Sequence, residues 1–556
     1  MAETVKERLL KQLAQLKNER TSFEPHWRDL SDFINPRGSR FLTSDVNRDD
    51  RRNTKIVDPT GSLAQRILSS GMMSGITSPA RPWFKLATPD PDMMDYGPVK
   101  IWLEVVQRRM NEVFNKSNLY QSLPIMYSSI GTYGTAAMAV LDDDQDVIRT
   151  MPFPIGCYYL ANSPRGSVDT SFRQFSMTVR QLVQEFGLEN VSTSVKSMFE
   201  SGTYEQWIEI NHCIMPNINR DTGKLDSKNK PFKSVYFETG GDNDKLLRES
   251  GYDEFPIMAP RWEVNGEDVY ASSCPGMLAL GQVKALQVEQ RRKAQLIDKA
   301  TNPPMVAPTS LKNQRVSLLP GDVTYLDVLT GQDGFKPAYL VNPNTADLLA
   351  DIQDTRQIIN SSYFVDLFMM LQNINTRSMP VEAVIEMKEE KLLMLGPVLE
   401  RLNDECLNPL IDRTFSIMVR KNMLPPPPDV LQGMPLRIEY ISVMAQAQKS
   451  IGLTSLSQTV GFIGQLAQAK PEALDKLDVD QAIDAFAEMS GVSPTVIVPQ
   501  EQVQGIREER AKQAQAQQAA AMAMTAAQGA KTLSETQTTD PSLLTAIANA
   551  SGAPQQ

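Results

Sequence analysis

The stretch PGMLALGQVKALQVEQRRKAQLIDKA, residues 275–300, decides the fold. Pro275-Gly276 stand at its start and Asn302-Pro303-Pro304 lie beyond its end, and such residues bracket a helix of about 25 residues, or about 37 Å. Its apolar side chains form a thin stripe: Leu280, Val283, Leu286 and Ile297. A helix this long with so narrow a stripe does not fit a single-chain core, so we expect it to pack beside copies of itself or a partner helix.

A second long helix is predicted from residue 344 to residue 371. Apolar residues recur there at steps of three and four, namely Leu348, Ile352, Ile359, Tyr363, Leu367 and Leu371. Residues 301–342, between the two helices, read as short β runs and turns. The sequence therefore predicts two long helices that flank a compact insert.

Upstream of the first long helix, the sequence predicts several helices followed by a β-rich segment. Residues 1–34 predict two helices with a break at Glu24-Pro25, and Asp58 or Thr60 caps a third helix. Further helices are expected at 99–114 and 120–130, the second closed by the glycines of GTYGTAAM. Residues 140–270 hold short β-rich runs between Gly, Pro, Asn and Asp clusters, which predict a small antiparallel β-subdomain.

The third helix leads into GMMSGITSPARPWFKL, residues 71–86. A phosphate-binding loop is excluded, because no predicted strand precedes the glycines and no Gly-Lys-Ser/Thr follows them. Gly71 and Gly75 tolerate unusual backbone angles, and Pro79 and Pro82 forbid helical continuation. The stretch is therefore predicted to be a helix end followed by a rigid turn.

Downstream of the second long helix, the polar run LQNINTRSM ends at Met379, and Pro380 begins another predicted helix. Gly396-Pro397 interrupt that helix, and its apolar stripe continues to the stiff spacer PPPP at 425–428. Residues 437–492 predict several short helices. The Ala/Gln-rich tail is expected to be partly helical or disordered when alone.

Charge and composition narrow the function. The 556 residues include 56 basic and 66 acidic side chains, a net charge of −10, with the two signs interspersed. A sequence-specific DNA-binding protein normally presents a basic face, so this charge distribution argues against tight DNA binding. The same distribution is compatible with a conduit through which a polyanion slides. The sequence shows no apolar stretch long enough to span a membrane and no targeting signal, so we expect synthesis and folding in the cytoplasm.

Few residues suit metal or redox chemistry. The four cysteines, Cys157, Cys213, Cys274 and Cys406, form no Cys-x-x-Cys pair, and His26 and His212 are the only histidines, so all six are interpreted as structural. Asp142, Asp143, Asp144 and Asp146 form an acidic patch without calcium-loop spacing, and a solvated turn is favoured over a cation site.

From residue 1 to about 510, the chain resembles the head-to-tail connector, or portal, proteins of short-tailed bacteriophages. The resemblance lies in the order and spacing of several modest motifs: EPHWRDLSDFINPR, DPTGSLAQRILSSGMMSGITSPARPWFKL, YDEFPIMAPRWEV with CPGMLAL, and EEKLLMLGPVLERLNDECLNPLIDRTF before LPPPP. The resemblance implies an α+β, mainly helical portal-type fold that assembles into a ring. It divides the chain into a wing (1–274), a first stem helix (275–300), a clip (301–342), a second stem helix (343–371), a channel loop (372–379), long wing and crown helices (380–428), a crown (429–500) and a tail or barrel (501–556).

Proteins of this family form a ring, usually of twelve copies, at one capsid vertex, and a separate terminase drives double-stranded DNA through it. The resemblance thus implies binding to copies of the chain, to DNA without sequence specificity, to the terminase large subunit, to a tail adaptor or tail tube protein, and to the major capsid and scaffolding proteins. It implies no membrane, catalytic residue, cofactor or metal, and it places the protein at the portal vertex of the virion after assembly in the host cytoplasm. Twelve copies would carry about −120 formal charges, which disfavours trapping of DNA phosphates.

Two sets of candidate site residues follow from the resemblance. The channel loop would contain Gln372, Asn373, Ile374, Asn375, Thr376, Arg377 and Ser378, and the stem surface would present Lys284, Arg291, Arg292 and Lys293. Arg377 would contact either a phosphate or an acidic residue of a neighbouring subunit. The stem residues would contact DNA, contact acidic neighbours, or form a solvated face, and the solvated face is favoured.

Two other functions compete with this interpretation. One is a scaffold or tail protein that forms filaments, and the other is a hydrolase that uses the acidic patch of residues 142–146. The hydrolase is disfavoured because no base, nucleophile or nucleotide loop lies at a useful spacing.

Overall fold

The structure, a computed structural model, describes residues 3–42, 54–90, 93, 96–224, 226–242, 245–306, 336–337, 345–372, 395–431, 433, 436–440, 456–466, 470, 477–490, 498 and 500–535. The chain divides into two compact units. The first unit comprises Met1–Asp90 and Trp102–Ala447, and the second comprises Pro91–Ile101 and Gln448–Gln556. None of the described helices is long and apolar enough to cross a bilayer.

The predicted pair of N-terminal helices is confirmed. Helix α1 (Val5–Thr21) and helix α2 (Glu24–Phe33) are separated by a short turn. A capping box begins α1, because the Thr4 hydroxyl accepts a hydrogen bond from the Glu7 amide while the Glu7 carboxylate accepts one from the Thr4 amide.

Three further helices follow, with one short strand between them. They are α3 (Thr60–Gly75), α4 (Gly97–Lys116) and α5 (Leu119–Tyr133), and strand β1 (Phe84–Ala87) lies between α3 and α4. Gly134 ends α5 in the left-handed region, with φ of 79°, as the glycine motif predicted.

The role predicted for Gly71 is wrong. Helix α3 runs through Gly71 and ends at Gly75, and neither glycine has a positive φ. Gly71 is buried instead against Phe368, whose ring occupies the space that a Cβ would fill. Close packing, not an unusual backbone angle, is therefore what requires glycine at this position.

The predicted antiparallel β-subdomain is confirmed in two sheets. Strands β2 (Ala137–Asp143), β3 (Val147–Phe153) and β9 (Ile257–Met258) form a three-stranded sheet in the order β3-β2-β9. Strands β4 (Tyr158–Asn162), β5 (Val168–Thr178), β6 (Trp207–Pro216), β7 (Phe232–Glu238) and β8 (Arg248–Tyr252) form a five-stranded antiparallel sheet in chain order.

Helices cover the five-stranded sheet. Leu9, Leu13 and Leu16 of α1 join Phe172 and Val235 in one apolar cluster. Helices α6 (Val179–Phe186) and α7 (Thr193–Glu200) build a second cluster beside the sheet. The alternation of side chains along the strands thus buries both an α1 face and an α6–α7 face.

The first long helix, α8 (Pro275–Thr301), matches its prediction closely. The prediction that this helix does not pack in the core of its own chain is wrong for its first half. Leu280, Val283 and Leu286 are buried within the subunit, Val283 in contact with Gly61 of α3, whereas Ile297 is 52% exposed. The N-terminal half of α8 therefore belongs to the chain's own core.

The prediction of a single second long helix is wrong, because two helices occupy this stretch. Helix α9 (Thr345–Ser362) ends before Phe364, which has a φ of 55°, and helix α10 (Val365–Gln372) follows. The Phe364 ring stacks on Trp262, with 6.4 Å between ring centroids. A tertiary contact thus accompanies a left-handed residue where the apolar period alone predicted continuity.

The described part of the insert consists of strand β10 (Met305–Val306) paired antiparallel with strand β11 (Lys336–Pro337). The rest of the predicted clip lies outside the described residues. The same holds for channel-loop residues 373–378 and for the helix predicted to begin at Pro380, while Gln372 is the last residue of α10.

Helix α11 (Gly396–Leu402) passes through a π-helical turn (Asn403–Leu407) into helix α12 (Asn408–Arg420). The apolar stripe predicted here is buried at Leu402, Cys406 and Leu410. Strand β12 (Arg437–Tyr440) was missed, since short helices were expected there, and it pairs with β1. Helices α6 and α7, inside the stretch predicted as β-rich, were missed as well.

Most described residues of the second unit are helical. A helix covers 456–466, and helices α13 (Val479–Ser490) and α14 (Gln500–Glu535) follow. Both guanidinium nitrogens of Arg507 on α14 lie 2.7 Å from carboxylate oxygens of Asp480 on α13. The Ala/Gln-rich tail is therefore helical as far as Glu535.

We predict that Gly71→Ala destabilises the first unit. Its methyl group would overlap the buried Phe368 ring, and overpacking of this kind costs about 1–3 kcal/mol. The matched control is Gly75→Ala, since Gly75 ends the same helix and has no atom within 4 Å of the Cβ position. Thermal unfolding followed by circular dichroism should show a lower midpoint for Gly71→Ala and an unchanged or higher one for Gly75→Ala; equal midpoints would contradict the packing argument.

Candidate functional site in the long-helix pair

Helices α8 and α9 pack against each other as an antiparallel pair, which we call the long-helix pair. The end of α8 and the start of α9 are joined through the β10–β11 pairing. Farther along, the Thr355 side chain on α9 hydrogen-bonds the Glu289 carboxylate on α8. The two helices therefore lie side by side, with Arg356 of α9 level with Gln290 of α8.

The Asp58 carboxylate fastens this pair to the segment that begins α3 within the same unit. Its Oδ2 atom accepts hydrogen bonds from Gln290 Nε2 of α8 at 2.9 Å and from Arg356 Nη2 of α9 at 2.7 Å. Its Oδ1 atom accepts from the Thr60 amide at 2.9 Å and from the Thr60 hydroxyl at 2.5 Å. One buried carboxylate thus joins both long helices to the start of α3.

Gln287 of α8 completes the connection. Its side-chain oxygen accepts from the Val57 amide at 2.6 Å and the Asp58 amide at 2.8 Å, and its Nε2 donates to the Asp58 carbonyl at 3.1 Å. The Gln287 residue is 2% exposed, so these bonds replace the water that its amide would otherwise bind. The loop before α3 is consequently held against α8 by hydrogen bonds between its main chain and the Gln287 side chain, in addition to the contacts of the Asp58 carboxylate.

The environment keeps Asp58 ionised. Burial alone would raise the pKa of its carboxyl, but hydrogen bonds from Thr60 and Arg356 outweigh that effect and hold the pKa below its usual value. The Asp58 side chain is 4% exposed and that of Arg356 is 36% exposed. The ion pair is therefore shielded from water on the carboxylate side only.

A second buried ion pair joins the β-subdomain to the π-helical turn. Arg261, 2% exposed, donates from Nη2 to Glu405 Oε1 at 2.6 Å and from its main-chain amide to Glu405 Oε2 at 2.9 Å. It also donates to the Gly166 carbonyl at 2.8 Å. The carboxylate that Arg261 contacts therefore lies within the π-helical turn (Asn403–Leu407).

The four predicted stem-surface residues lie in different environments. Lys284 Nζ forms an ion pair with Asp29 at 2.7 Å, and Arg291 Nη2 donates to the Lys55 carbonyl at 3.4 Å. Arg292 is exposed and Lys293 is half-buried. The structure therefore ties Lys284 to its own subunit and leaves Arg292 on an open face of α8.

The acidic patch of residues 142–146 is a hairpin turn. Lys421 Nζ lies 2.6 Å from Asp142 Oδ1, and Asp143 Oδ1 accepts from the Gln145 and Asp146 amides. Within the described ranges, no three His, Cys, Asp or Glu side chains approach closely enough to hold a metal ion. These contacts support the interpretation of the patch as a turn.

His212 has a structural environment. Its ring stacks on Tyr236 with 3.7 Å between centroids, and Nε2 lies 2.9 Å from the Ser234 hydroxyl. Burial lowers the pKa of His212 to about 3, so the ring stays neutral at neutral pH. The cysteines were interpreted as structural residues. Three of them are buried thiols, namely Cys213, Cys274 and Cys406, and Cys157 is half-buried.

Sequence reasoning found Asp58 only as a helix cap. Its partners Gln290 and Arg356 are separated from it by 232 and 298 residues, and no local pattern connects them. Glu405 and Arg261 were missed for the same reason. The only local signal was polar residues, Gln287 and Gln290, placed on the thin apolar stripe of α8.

The long-helix pair is thus anchored on one side and exposed on the other. Residues 6–498 match the family described as bacteriophage head to tail connecting protein. The chain is 91% identical over 556 residues to the portal protein of Salmonella phage epsilon15, with 100% of both chains covered. It is 46% identical over 551 residues to the probable portal protein of Bordetella phage BPP-1, with 99% of both covered. The chain belongs to the family of bacteriophage head-to-tail connecting proteins.

Among solved structures, the neck of an empty GTA particle computed with C6 symmetry aligns with a TM-score of 0.36 at 10% identity, covering 72% of this chain and 86% of that chain. A TM-score of this size does not establish a common fold, and family membership does not depend on it.

We predict that Asp58→Asn loosens the long-helix pair. The amide cannot accept from Arg356 as a carboxylate does, and the loss of a hydrogen bond to a charged group costs about 1–3 kcal/mol, toward the lower end because Arg356 is partly exposed. Asp32→Asn, which breaks the exposed pair with Lys55, is the control and should have a smaller effect.

The effect of Asp58→Asn should depend on pH. Because the folded-state pKa of Asp58 is lowered, its stabilisation is fully present above the unfolded pKa of about 3.9 and is lost as the pH falls through the lower folded value. Unfolding midpoints of wild type and Asp58→Asn should differ at pH 6 and converge below about pH 4. A difference that persists unchanged at the lowest pH would show that the carboxylate charge is not the cause.

Proposed function

We propose that this chain is a portal protein, which forms a ring at one capsid vertex, admits and releases double-stranded DNA, and attaches the tail. The observation that carries the proposal is near-identity over the whole length to a portal protein, within the head-to-tail connecting family. The structure supports it with a long-helix pair that is held firmly in its subunit at Asp58 and that presents an open face on α8 and α9.

The parts of the ring are assigned by position along the chain. In this proposal, residues 1–274 form the wing, α8 and α9 the stem, residues 301–342 the clip, and residues 380–500 the remaining wing and crown. The tail from residue 501, helical to Glu535, extends the crown or forms a barrel. Twelve copies form the ring, and the terminase large subunit, a tail adaptor or tail tube protein, and the capsid and scaffolding proteins bind it in the virion after assembly in the host cytoplasm.

The channel is proposed to hold DNA weakly. The chain as a whole carries a net charge of −10, and such an excess of acidic side chains disfavours the trapping of phosphates at many sites at once, so the duplex slides. Residues 372–379 form the channel loop in this proposal, and Arg377 supplies an isolated phosphate contact there. A single cation meets successive phosphates without holding any of them for long.

The proposed role is mechanical rather than catalytic. The hydrolase alternative required the carboxylates of residues 142–146 to act on a substrate, but Asp142 binds Lys421 and Asp143 accepts two main-chain amides of its own turn. These contacts favour a structural use of the patch. The driving energy for packaging would come from the separate terminase.

The experiment is DNA packaging into capsid precursors in vitro, with terminase and ATP supplied. Precursors assembled with the chain should protect DNA from nuclease, and those assembled without it should protect none, because no conduit is present. Precursors that contain Arg377→Ala should package at an altered rate with an unchanged ring mass. Equal protection with and without the chain would contradict the portal function, and loss of the ring in Arg377→Ala would instead make Arg377 a contact between subunits.

A further inference from the structure

Helix α8 leaves a second, outward face uncovered along its length. Its buried residues lie on one side of the helix, and the other side presents residues at alternating steps of three and four. Leu278 and Val288 of this face are 67% and 44% exposed, and no atom lies within 4 Å of the Cβ position of Gly281. We name this face the α8 outer stripe: Leu278, Gly281, Ala285, Val288, Arg292, Gln295 and Lys299.

Helix α9 has an outward face with the same spacing. Ile352, Thr355 and Ile359 are buried, and the residue before each of them, about 100° around the helix, is exposed and belongs to the α9 outer stripe: Asp351, Asp354 and Ile358. Ile358 is 42% exposed. Steps of three and four place these side chains in a single row that another helix can contact.

The two stripes carry opposite charges near the β10–β11 end of the long-helix pair. Residues 291–299 contain four basic side chains and one acidic one, whereas residues 345–355 contain three acidic side chains and no basic one. Arg292, Lys299, Asp351 and Asp354 are all exposed. In the described part of the chain, none of these four forms an ion pair.

The subunit itself does not neutralise the acidic stripe. Asp351 lies near Glu289 of α8, whose carboxyl pKa is raised by burial and further by the charge of Asp351. One oxygen of Glu289 is buried without a hydrogen-bond partner. A cation brought to this face from outside would therefore relieve repulsion within the pair.

Charged and apolar residues follow the same order along both stripes when the stripes are compared from the β10–β11 end. Because α8 and α9 are antiparallel, the charged part of each stripe lies toward the β10–β11 end, and the apolar part, with Val288 and Ile358, lies toward the other end. Copies in a closed ring are related by rotation without translation along the axis. The basic end of one copy therefore meets the acidic end of the next, and apolar side chains meet apolar ones.

We propose that the α8 outer stripe binds the α9 outer stripe of the next copy of this chain. Arg292 and Lys299 pair with Asp351 and Asp354 across this contact, and Val288 packs near Ile358. The contact is head-to-tail: each subunit offers its basic stripe to one neighbour and its acidic stripe to the other. The inference rests on the proposed ring and names the surface that closes it.

Charge reversal tests this contact by mixing. The first variant carries Arg292→Glu and Lys299→Glu, and the second carries Asp351→Lys and Asp354→Lys. Each alone places like charges in every contact, so its ring yield should fall about tenfold or more. Mixed in equal amounts, the variants should recover rings in which they alternate, because each contact then joins opposite charges again.

The controls reverse exposed charges far along the chain from the stripes, with Arg165→Glu in the β4–β5 turn and Glu200→Lys at the end of α7. These variants should form rings as wild type does, and circular dichroism should show that every variant is folded. Normal ring yield for either stripe variant alone, or no recovery on mixing, would overturn the inference while a wild-type ring leaves the portal function standing. Absence of a wild-type ring would count against the portal function itself.

Cysteine cross-linking provides a readout that does not depend on yield. Val288→Cys with Ile358→Cys should give a ladder of covalent oligomers on mild oxidation, and each single variant should give none. Three native cysteines are buried and the fourth is half-buried, so the background is low. Cross-links within the monomer alone, or none in assembled rings, would contradict the contact.

Discussion

The carboxylate of Asp58 is the constraint on which the arrangement of the long helices depends. It is 4% exposed at the side chain and accepts from Gln290 on α8, Arg356 on α9 and Thr60 at the start of α3. A buried carboxylate is costly unless such donors surround it. The three donors belong to three helices. The carboxylate is therefore fully hydrogen-bonded only when those helices are correctly placed relative to one another. Gln287 adds main-chain bonds to the loop that carries Asp58.

This attachment divides α8 into two faces with different uses. Leu280, Val283 and Leu286 face the subunit core and are buried, whereas Leu278 and Val288 face outward. A helix anchored so firmly on one side can present its other side in a fixed position, and fixed position is what repeated contacts around a ring require. The opposite charges of the outward stripes then supply direction to the contact, because a basic row cannot bind a second basic row.

Local patterns predicted the elements whose ends are marked by proline and glycine. Helix α8 was predicted at 275–300 and observed as Pro275–Thr301, and the antiparallel β-subdomain was recognised from its turn residues. The errors lie where distant residues decide. Phe364 breaks the second long helix in the presence of Trp262, β12 forms because β1 is available to pair with it, and Gly71 is needed for the Phe368 ring. At the candidate site, Arg292 was named but Asp58 was assigned only a capping role. The channel-loop residues 373–378 remain a prediction.

The most direct measurement is the native mass of the purified full-length chain over a range of concentration and salt. The account predicts one discrete closed species of about twelve subunits, which weakens at high salt because charge pairs between outward stripes are screened. A stable monomer at high concentration would contradict it, since the exposed faces of α8 and α9 would then need no partner. A broad distribution of masses would contradict it as well, because an open filament would have formed in place of a ring.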